Sequence, residues 1–202
     1  MKIGVLGTGG MARALGGKWA ARGHDVLVGG RSAERAAALA SRIMARAGSV
    51  REAVAFGDAL LVAVPASAAV EAVGDARGKV VVDCTNSIED GFLLGPSGAA
   101  RLAEASGGDV VKAFNLCHVS VWGEPSPVYE GRPLGVPVCG DSPRALDVVR
   151  ELVRDAGCVP VDGGGLARAA LLEATAAFAI GVWVGGGEDV RAMFPALEAA
   201  LG

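Results

Sequence analysis

The run Gly7-Thr8-Gly9-Gly10-Met11-Ala12 restricts this chain more than any other stretch, because its flanks give it a specific meaning. Residues 2–6 read as a short apolar strand and residues 10–22 as a helix, which places the glycines at a strand-to-helix turn of the G-x-G-x-x-A pattern. Gly7 permits the tight turn, Gly9 lets the backbone approach a pyrophosphate, and Ala12 allows the helix to pack close to the sheet. Thr8, Gly10 and Met11 complete a loop whose unpaired N–H groups and positive helix end favour anionic phosphates. A second strand over residues 25–28 ends at the right distance for a βαβ unit that binds a dinucleotide.

The end of that second strand bears on the cofactor. A carboxylate there would accept both ribose hydroxyls of NAD(H). The chain instead reads Val28-Gly29-Gly30-Arg31-Ser32, with no carboxylate before Glu34. Arg31 is suited to grip a 2′-phosphate and stack on adenine, Ser32 adds a hydroxyl and a helix cap, and Arg35 follows one turn later. The bland alternative is a pair of solvated arginines on a surface helix. The expectation is NADP(H) in preference to NAD(H).

The remaining pattern alternates strands and helices. Helices are expected over residues 32–47, 50–56, 66–73, 99–105 and 143–156. Strands are expected over residues 59–64 (closed by Pro65), 79–83, 109–114, 135–139 and 158–161. Residues 87–98 and 116–133 read as long loops, and 166–184 and 188–201 as helices. Continuous apolar runs such as Val80-Val81-Val82 are the mark of strands covered on both faces. The fold class expected is α/β, a doubly wound parallel Rossmann sheet with a small C-terminal helical extension. The division is residues 1–162 for the NADP-binding domain and 163–202 for a segment serving as substrate wall, dimer interface, or both.

Composition excludes several classes. The chain has 202 residues, 51% of them hydrophobic and 20% charged, enough for one well-buried core. A net charge of −3 and the lack of any Lys/Arg-rich run argue against a nucleic-acid partner. Four scattered cysteines, Cys84, Cys117, Cys139 and Cys158, and only two histidines give no disulfide scaffold and no metal site. Three of the cysteines lie in strand-like contexts and read as buried free thiols. Residues 166–184 are strongly apolar but contain Arg168 and Glu173, so they read as a helix buried in protein rather than a membrane span. Glu173 is expected to pair with Arg168 or with a partner chain, and the helix to form the core of a homodimer. The N-terminus lacks the pattern of a signal peptide, which makes the cytoplasm the expected compartment.

Five segments together carry a family resemblance: residues 2–9 (Lys-Ile-Gly-Val-Leu-Gly-Thr-Gly), Gly30-Arg31-Ser32, Ala63-Val64-Pro65, Val81-Val82-Asp83-Cys84-Thr85-Asn86 and Val111-Lys112-Ala113-Phe114-Asn115. With them the chain resembles the NADP-dependent coenzyme F420 reductases, whose relatives include the oxidoreductase domains of six-transmembrane metalloreductases. The resemblance covers the N-terminal two-thirds, and the C-terminal helices only in general character. It implies hydride exchange between NADPH and the deazaflavin coenzyme F420, with the protein supplying alignment. It also implies that Thr8, Gly9, Met11, Arg31, Ser32 and Arg35 hold the phosphates. Ala63, Val64 and Pro65 would flank the nicotinamide riboside, and Asn86 with Ala113, Phe114 and Asn115 would close the nicotinamide end.

His118 stands just past a predicted strand end, on the face where such sheets bind ligands. It is the candidate catalytic proton donor if the substrate is a small carbonyl or imine, and a structural or surface histidine otherwise. His24, in a Gly-His-Asp turn, reads as structural, and Asp83 as a group that orients neighbours. Three functions stay open: an F420-type reductase, an NADPH-dependent reductase of a small carbonyl or imine, and a non-catalytic NADP(H)-sensing protein.

Overall fold

Strand β1 (Lys2–Leu6) lies inside the sheet, and its apolar residues Ile3, Val5 and Leu6 are fully buried. The computed structural model describes residues 1–129 and 131–187. From β1 the chain passes through α1 (Gly10–Ala21) to β2 (Asp25–Gly29), then α2 (Ala33–Arg42), β3 (Arg46–Gly48), α3 (Val50–Phe56) and β4 (Ala59–Val62). The second half runs α4 (Ala69–Val73), β5 (Val80–Asp83), α5 (Gly98–Ser106) and β6 (Asp109–Lys112). It continues with α6 (Val119–Trp122), the hairpin β7 (Val128–Tyr129) and β8 (Arg132–Pro133), and β9 (Gly135–Gly140). It closes with α7 (Pro143–Asp155), β10 (Val159–Asp162) and α8 (Ala169–Ile180). One eight-stranded sheet has the order β10-β9-β6-β5-β4-β1-β2-β3. It is mostly parallel and covered by helices, the Rossmann-type architecture expected. Residues 188–201, expected to be helical, lie outside the described residues.

The helices start where capping chemistry allows. Ser32 caps α2 by accepting from the Arg35 N–H at 3.2 Å. Ser49 and Glu52 form a reciprocal capping box on α3, and Ser142 caps α7, which has Pro143 in its first turn. One face of the sheet packs against α1 and α7. There the Phe114 ring meets Trp19 and Trp122 edge-on, with centroids 6.1 and 5.4 Å apart. The Trp19 Nε1–H donates to the Leu152 carbonyl at 2.9 Å, tying α1 to α7. Lys18 on α1 donates to the carbonyls of Glu124, Pro125 and Ala156, which fastens the irregular segment after α6 to the body of the fold.

Four expectations are corrected. The helix expected over residues 32–47 stops at Arg42, and residues 46–48 instead pair with β2 as the edge strand β3. Alanine-rich helix propensity there yields to a tertiary pairing. The sheet is not wholly parallel: β9 runs antiparallel to β6, and β10 parallel to β9, so the last two strands oppose the other six. The continuous apolar runs report burial on both faces and carry no direction. The loop over 116–133 contains α6 and the β7–β8 hairpin.

The apolar C-terminal helix is the fourth. The stretch Leu166–Gly186 is, among the described residues, the one helix long and apolar enough to cross a membrane. Its burial in protein holds on one side only. Ala169, Glu173, Ala176 and Ala177 are buried, while Leu171, Phe178, Trp183 and Val184 are exposed.

Candidate cofactor-binding site

The ends of β1, β2 and β4 converge on Gly7. Its φ of +125° lies where side chains are rarely found, and its N–H donates to the Gly29 carbonyl at 2.8 Å. A Cβ at this position would run into the Ala63 carbonyl. Gly9 differs in kind. It is exposed, nothing lies within 4 Å of where its Cβ would be, and it starts α1 without a side-chain cap. The first N–H groups of α1 therefore have no side-chain partner from the cap, in front of an open space of the kind a pyrophosphate fills. Gly10 is needed for packing, since a Cβ there would come within 2.8 Å of Val119 Cγ2 on α6. Ala12 is fully buried, Met11 packs against the core, and the Thr8 methyl lies against Gly30.

Beside this turn lies a cleft of about 450 Å³ lined by Thr8, Gly9, Gly10, Arg13, Arg35, Ala38, Leu39 and Arg42. Three guanidiniums and no carboxylate line it, a donor set that fits a phosphomonoester. Arg35 is where the sequence placed it, with the Ser32 cap one turn before; Arg31 is exposed next to that cap. Arg13 and Arg42 were missed. Their signal is helical spacing: Arg42 lies seven residues after Arg35 on the same face of α2, and Arg13 directly follows the fingerprint on α1.

A second cleft of about 440 Å³ opens past the ends of β4 and β5, and its lining includes Pro65, Ser67, Asn86, Ser87, Glu89 and Arg101. Ala63 and Val64 lead into it and are half-buried. Asn86 and Asn115 are locked together: Asn86 Nδ2 donates to the Asn115 carbonyl at 2.9 Å, and Asn115 Nδ2 donates to Asn86 Oδ1 at 3.0 Å. Asn115 Nδ2 also donates to the Leu172 carbonyl on α8 at 3.1 Å. Ala113 and Phe114 are buried, so only their backbone is available to a ligand. Phe114 sits at φ +62°, a left-handed conformation costing about 1–3 kcal/mol for such a residue, held by the two tryptophans.

Behind this pair is a cluster that the sequence reading did not assemble. Parallel register sets Asp83 beside Lys112, and Lys112 Nζ donates to Asp83 Oδ2 and to Glu173 Oε1, both at 2.8 Å. It also donates to the Thr85 carbonyl. All three charged side chains are fully buried. Asp83 orients its neighbours as expected, accepting from the Thr85 N–H at 2.9 Å and the Thr85 hydroxyl at 2.8 Å. The expected pairing of Glu173 with Arg168 is corrected: Arg168 donates to the Gly163 carbonyl, and Glu173 faces Lys112. A lysine inside the apolar run Val110-Val111-Lys112-Ala113-Phe114 was the available signal, because a buried ammonium requires buried carboxylates.

His118 is exposed and lines neither cleft. Its Nδ1 caps α6, accepting from the Ser120 N–H at 3.3 Å and lying 2.9 Å from the Ser120 hydroxyl. His24 Nε2 lies 2.8 Å from Asp155 Oδ2, in a structural tie to α7; with Glu151 the two offer ligand atoms within 4.8 Å of one another. Both His24 ring nitrogens already have partners, Asp155 and the N-terminal amine. Burial raises all four cysteine thiols above their ordinary value. Burial pushes the Cys84 thiol up to about 12, helped by the charge of Asp83, and burial pushes Cys117 up to about 11.

Known proteins are similar to this chain in sequence and in fold. A family model described as NADP oxidoreductase, coenzyme F420-dependent, matches residues 2–87. The metalloreductase STEAP3 of Rattus norvegicus is 34% identical over 178 residues, which cover 86% of this chain and 36% of that protein. The chain thus spans about a third of that relative's length. The F420-dependent NADP reductase of Methanothermobacter thermautotrophicus is 30% identical over 202 residues, covering 86% of this chain and 85% of that enzyme. Among solved structures, one from Arthrobacter sp. FB24 superimposes with a TM-score of 0.81 at 23% identity, covering 93% of this chain and 95% of its own. An imine reductase of Streptomyces aurantiacus gives 0.68 at 18% identity, covering 91% of this chain and 62% of its own. At these identities the two structures speak to the fold alone.

Proposed function

The chain belongs to the coenzyme F420-dependent NADP oxidoreductase family, and from that premise we propose that it transfers a hydride between NADPH and a deazaflavin of the coenzyme F420 type. The observation that carries the cofactor half is the cleft with Arg13, Arg35 and Arg42 around the Gly9 turn and no carboxylate in its lining. In this reading the arginines hold the 2′-phosphate with Arg31 and Ser32 nearby, and the Gly9–Met11 turn takes the pyrophosphate. Pro65 and Asn86 bound the nicotinamide in the second cleft. Bound there, the nicotinamide C4 supplies or accepts the hydride and the deazaflavin C5 is its counterpart. The protein's own contribution is alignment and exclusion of water.

The test is absorbance-monitored reduction of oxidised coenzyme F420 with NADPH, and with NADH as control. Bleaching of the deazaflavin with NADPH and little with NADH is expected. Arg35→Ala should raise the KM for NADPH about tenfold, the equivalent of about 1.4 kcal/mol, and leave the residual NADH reaction unchanged. Equal effects on both nucleotides would remove the phosphate assignment. His118→Ala should hold the deazaflavin rate within a few-fold. Absence of deazaflavin reduction, with a hundredfold loss in His118→Ala on a cyclic imine or carbonyl substrate, would establish the small-substrate reading instead. Tight NADPH binding with no acceptor at all would leave the sensor.

We also propose residues 1–162 as the cofactor domain and the exposed side of α8 as the contact with a second copy of the chain. Leu171 and Phe178 on α8, with Trp183 in the helical segment Gly181–Gly186 that continues it, form an exposed apolar surface, and Glu173, the charged residue of α8, is turned inward. Sedimentation at micromolar concentration should give a dimer and Phe178→Glu a monomer; a monomeric parent protein would refute the proposal.

A further inference from the structure

We propose that the buried Asp83–Lys112–Glu173 cluster is a positioning device that locks α8 onto the strand ends and thereby fixes the Asn86–Asn115 pair as a rigid hydrogen-bonding edge of the second cleft. This rests on the reading that the cleft receives the nicotinamide of NADPH.

Stability alone does not account for the cluster. Two carboxylates and one ammonium are all withdrawn from water, and Glu173 Oε2 has no hydrogen-bond partner. Buried ion clusters of this kind are often no more stabilising than well-packed apolar side chains of the same volume. What the cluster does supply is geometry. Each Lys112 donor goes to a different residue: the Asp83 carboxylate, the Thr85 carbonyl and the Glu173 carboxylate. Thr85 immediately precedes Asn86, so the ammonium clamps the backbone turn that carries that amide. Glu173 immediately follows Leu172, whose carbonyl accepts from Asn115. Glu173 Oε1 also accepts from the Ala99 N–H at 3.3 Å, which brings the start of α5 into the same knot. Lys112 therefore joins the β5 turn, the β6 strand end and α8 from behind, on the buried side of the Asn86–Asn115 pair.

The consequence falls on Asn86, which lines the cleft. A side-chain amide has two N–H donors and two acceptor lone pairs. In Asn86 one donor goes to the Asn115 carbonyl and one lone pair to Asn115 Nδ2. One donor and one acceptor remain, the complement of a primary carboxamide such as that of nicotinamide. Fixing the Asn86 amide plane then fixes the plane of the ring, and with it the face from which the hydride leaves. In this role Glu173 and Lys112 never touch the cofactor; they act through the asparagines.

The test compares Glu173→Ala with the parent protein, using NADPH and 2′,5′-ADP, a fragment that has the 2′-phosphate but no nicotinamide. Removing Glu173 leaves Lys112 paired with Asp83, so no unpaired charge is created. Calorimetric affinity for 2′,5′-ADP should stay within twofold. The affinity advantage of NADPH over that fragment should shrink, and the fluorescence of bound NADPH should move toward that of free NADPH. Glu173→Gln, which keeps the Oε1 acceptor, should restore most of both. Asn115→Ala, at the far end of the network, should reproduce the Glu173→Ala pattern and carries the test if Glu173→Ala does not fold. Unchanged NADPH affinity and emission would overturn the proposal. So would equal weakening of both ligands, which marks a merely structural role. A parent protein that binds neither ligand would instead defeat the NADP(H) reading itself.

Discussion

Replacing Lys112 by Met is expected to remove about 3–5 kcal/mol of folding stability, the loss that follows when one partner of a buried ion pair is taken away. The methionine fills much the same volume but leaves the Asp83 and Glu173 carboxylates buried, close together and without their cation. For a domain whose total stability is about 5–15 kcal/mol, such a loss is a large part of the whole. Chemical denaturation should show the midpoint falling with little change of slope. The triple variant Asp83→Asn, Lys112→Met, Glu173→Leu should recover much of the deficit, because the unpaired charges are gone. A loss below about 1 kcal/mol in Lys112→Met would mean that the three groups do not meet as charges in the folded protein.

The second large effect separates two glycines that look alike in the fingerprint. Gly7→Ala places a methyl against the Ala63 carbonyl at a φ of +125°. Backbone strain of about 1–3 kcal/mol and overpacking of about 1–3 kcal/mol should combine there, because the atoms the methyl meets are backbone of Ala63 and Val64 and leave little room for relief. Gly9→Ala meets open space, and its stability should stay within about 0.5 kcal/mol of the parent. Its NADPH affinity should nevertheless fall, since the added methyl stands where the backbone must approach the pyrophosphate. Thermal melting with and without NADPH reads both quantities. A stable, NADPH-binding Gly7→Ala protein would contradict the convergence of β1, β2 and β4 on that residue.

These two glycines also show what the amino-acid order could reveal. The turn, the cap at Ser32 and the arginine at position 35 depend on short-range geometry, and their spacing alone locates them. Arg13 and Arg42 required choosing a helix face, which spacing permits once the cleft is known. The Lys112 cluster could not be assembled in that way. Its members are 29 and 61 positions apart, and the helix that brings Glu173 inward is so uniformly apolar that its composition does not show which side faces the sheet. Strand direction was hidden for a related reason. Burial on both faces gives the same valine-rich pattern whether a strand runs with its neighbours or against them, as β9 does beside β6. His118 shows a different limit: its place after a strand end was legible, but the engagement of its Nδ1 as the cap of the next helix was not.

The ties between Lys112 and Glu173 also set an order of events during biosynthesis. The first four parallel strands and their helices can begin to assemble as they leave the ribosome, but Lys112 has to wait for a residue 61 positions further along. At about 5–20 residues per second that is a delay of several seconds. During this interval the ammonium and Asp83 have each other but not the helix that seals them. The Gly7–Gly9 turn can therefore form early, while the Asn86–Asn115 pair gains its tie to Leu172 last, when α8 has been released and docks.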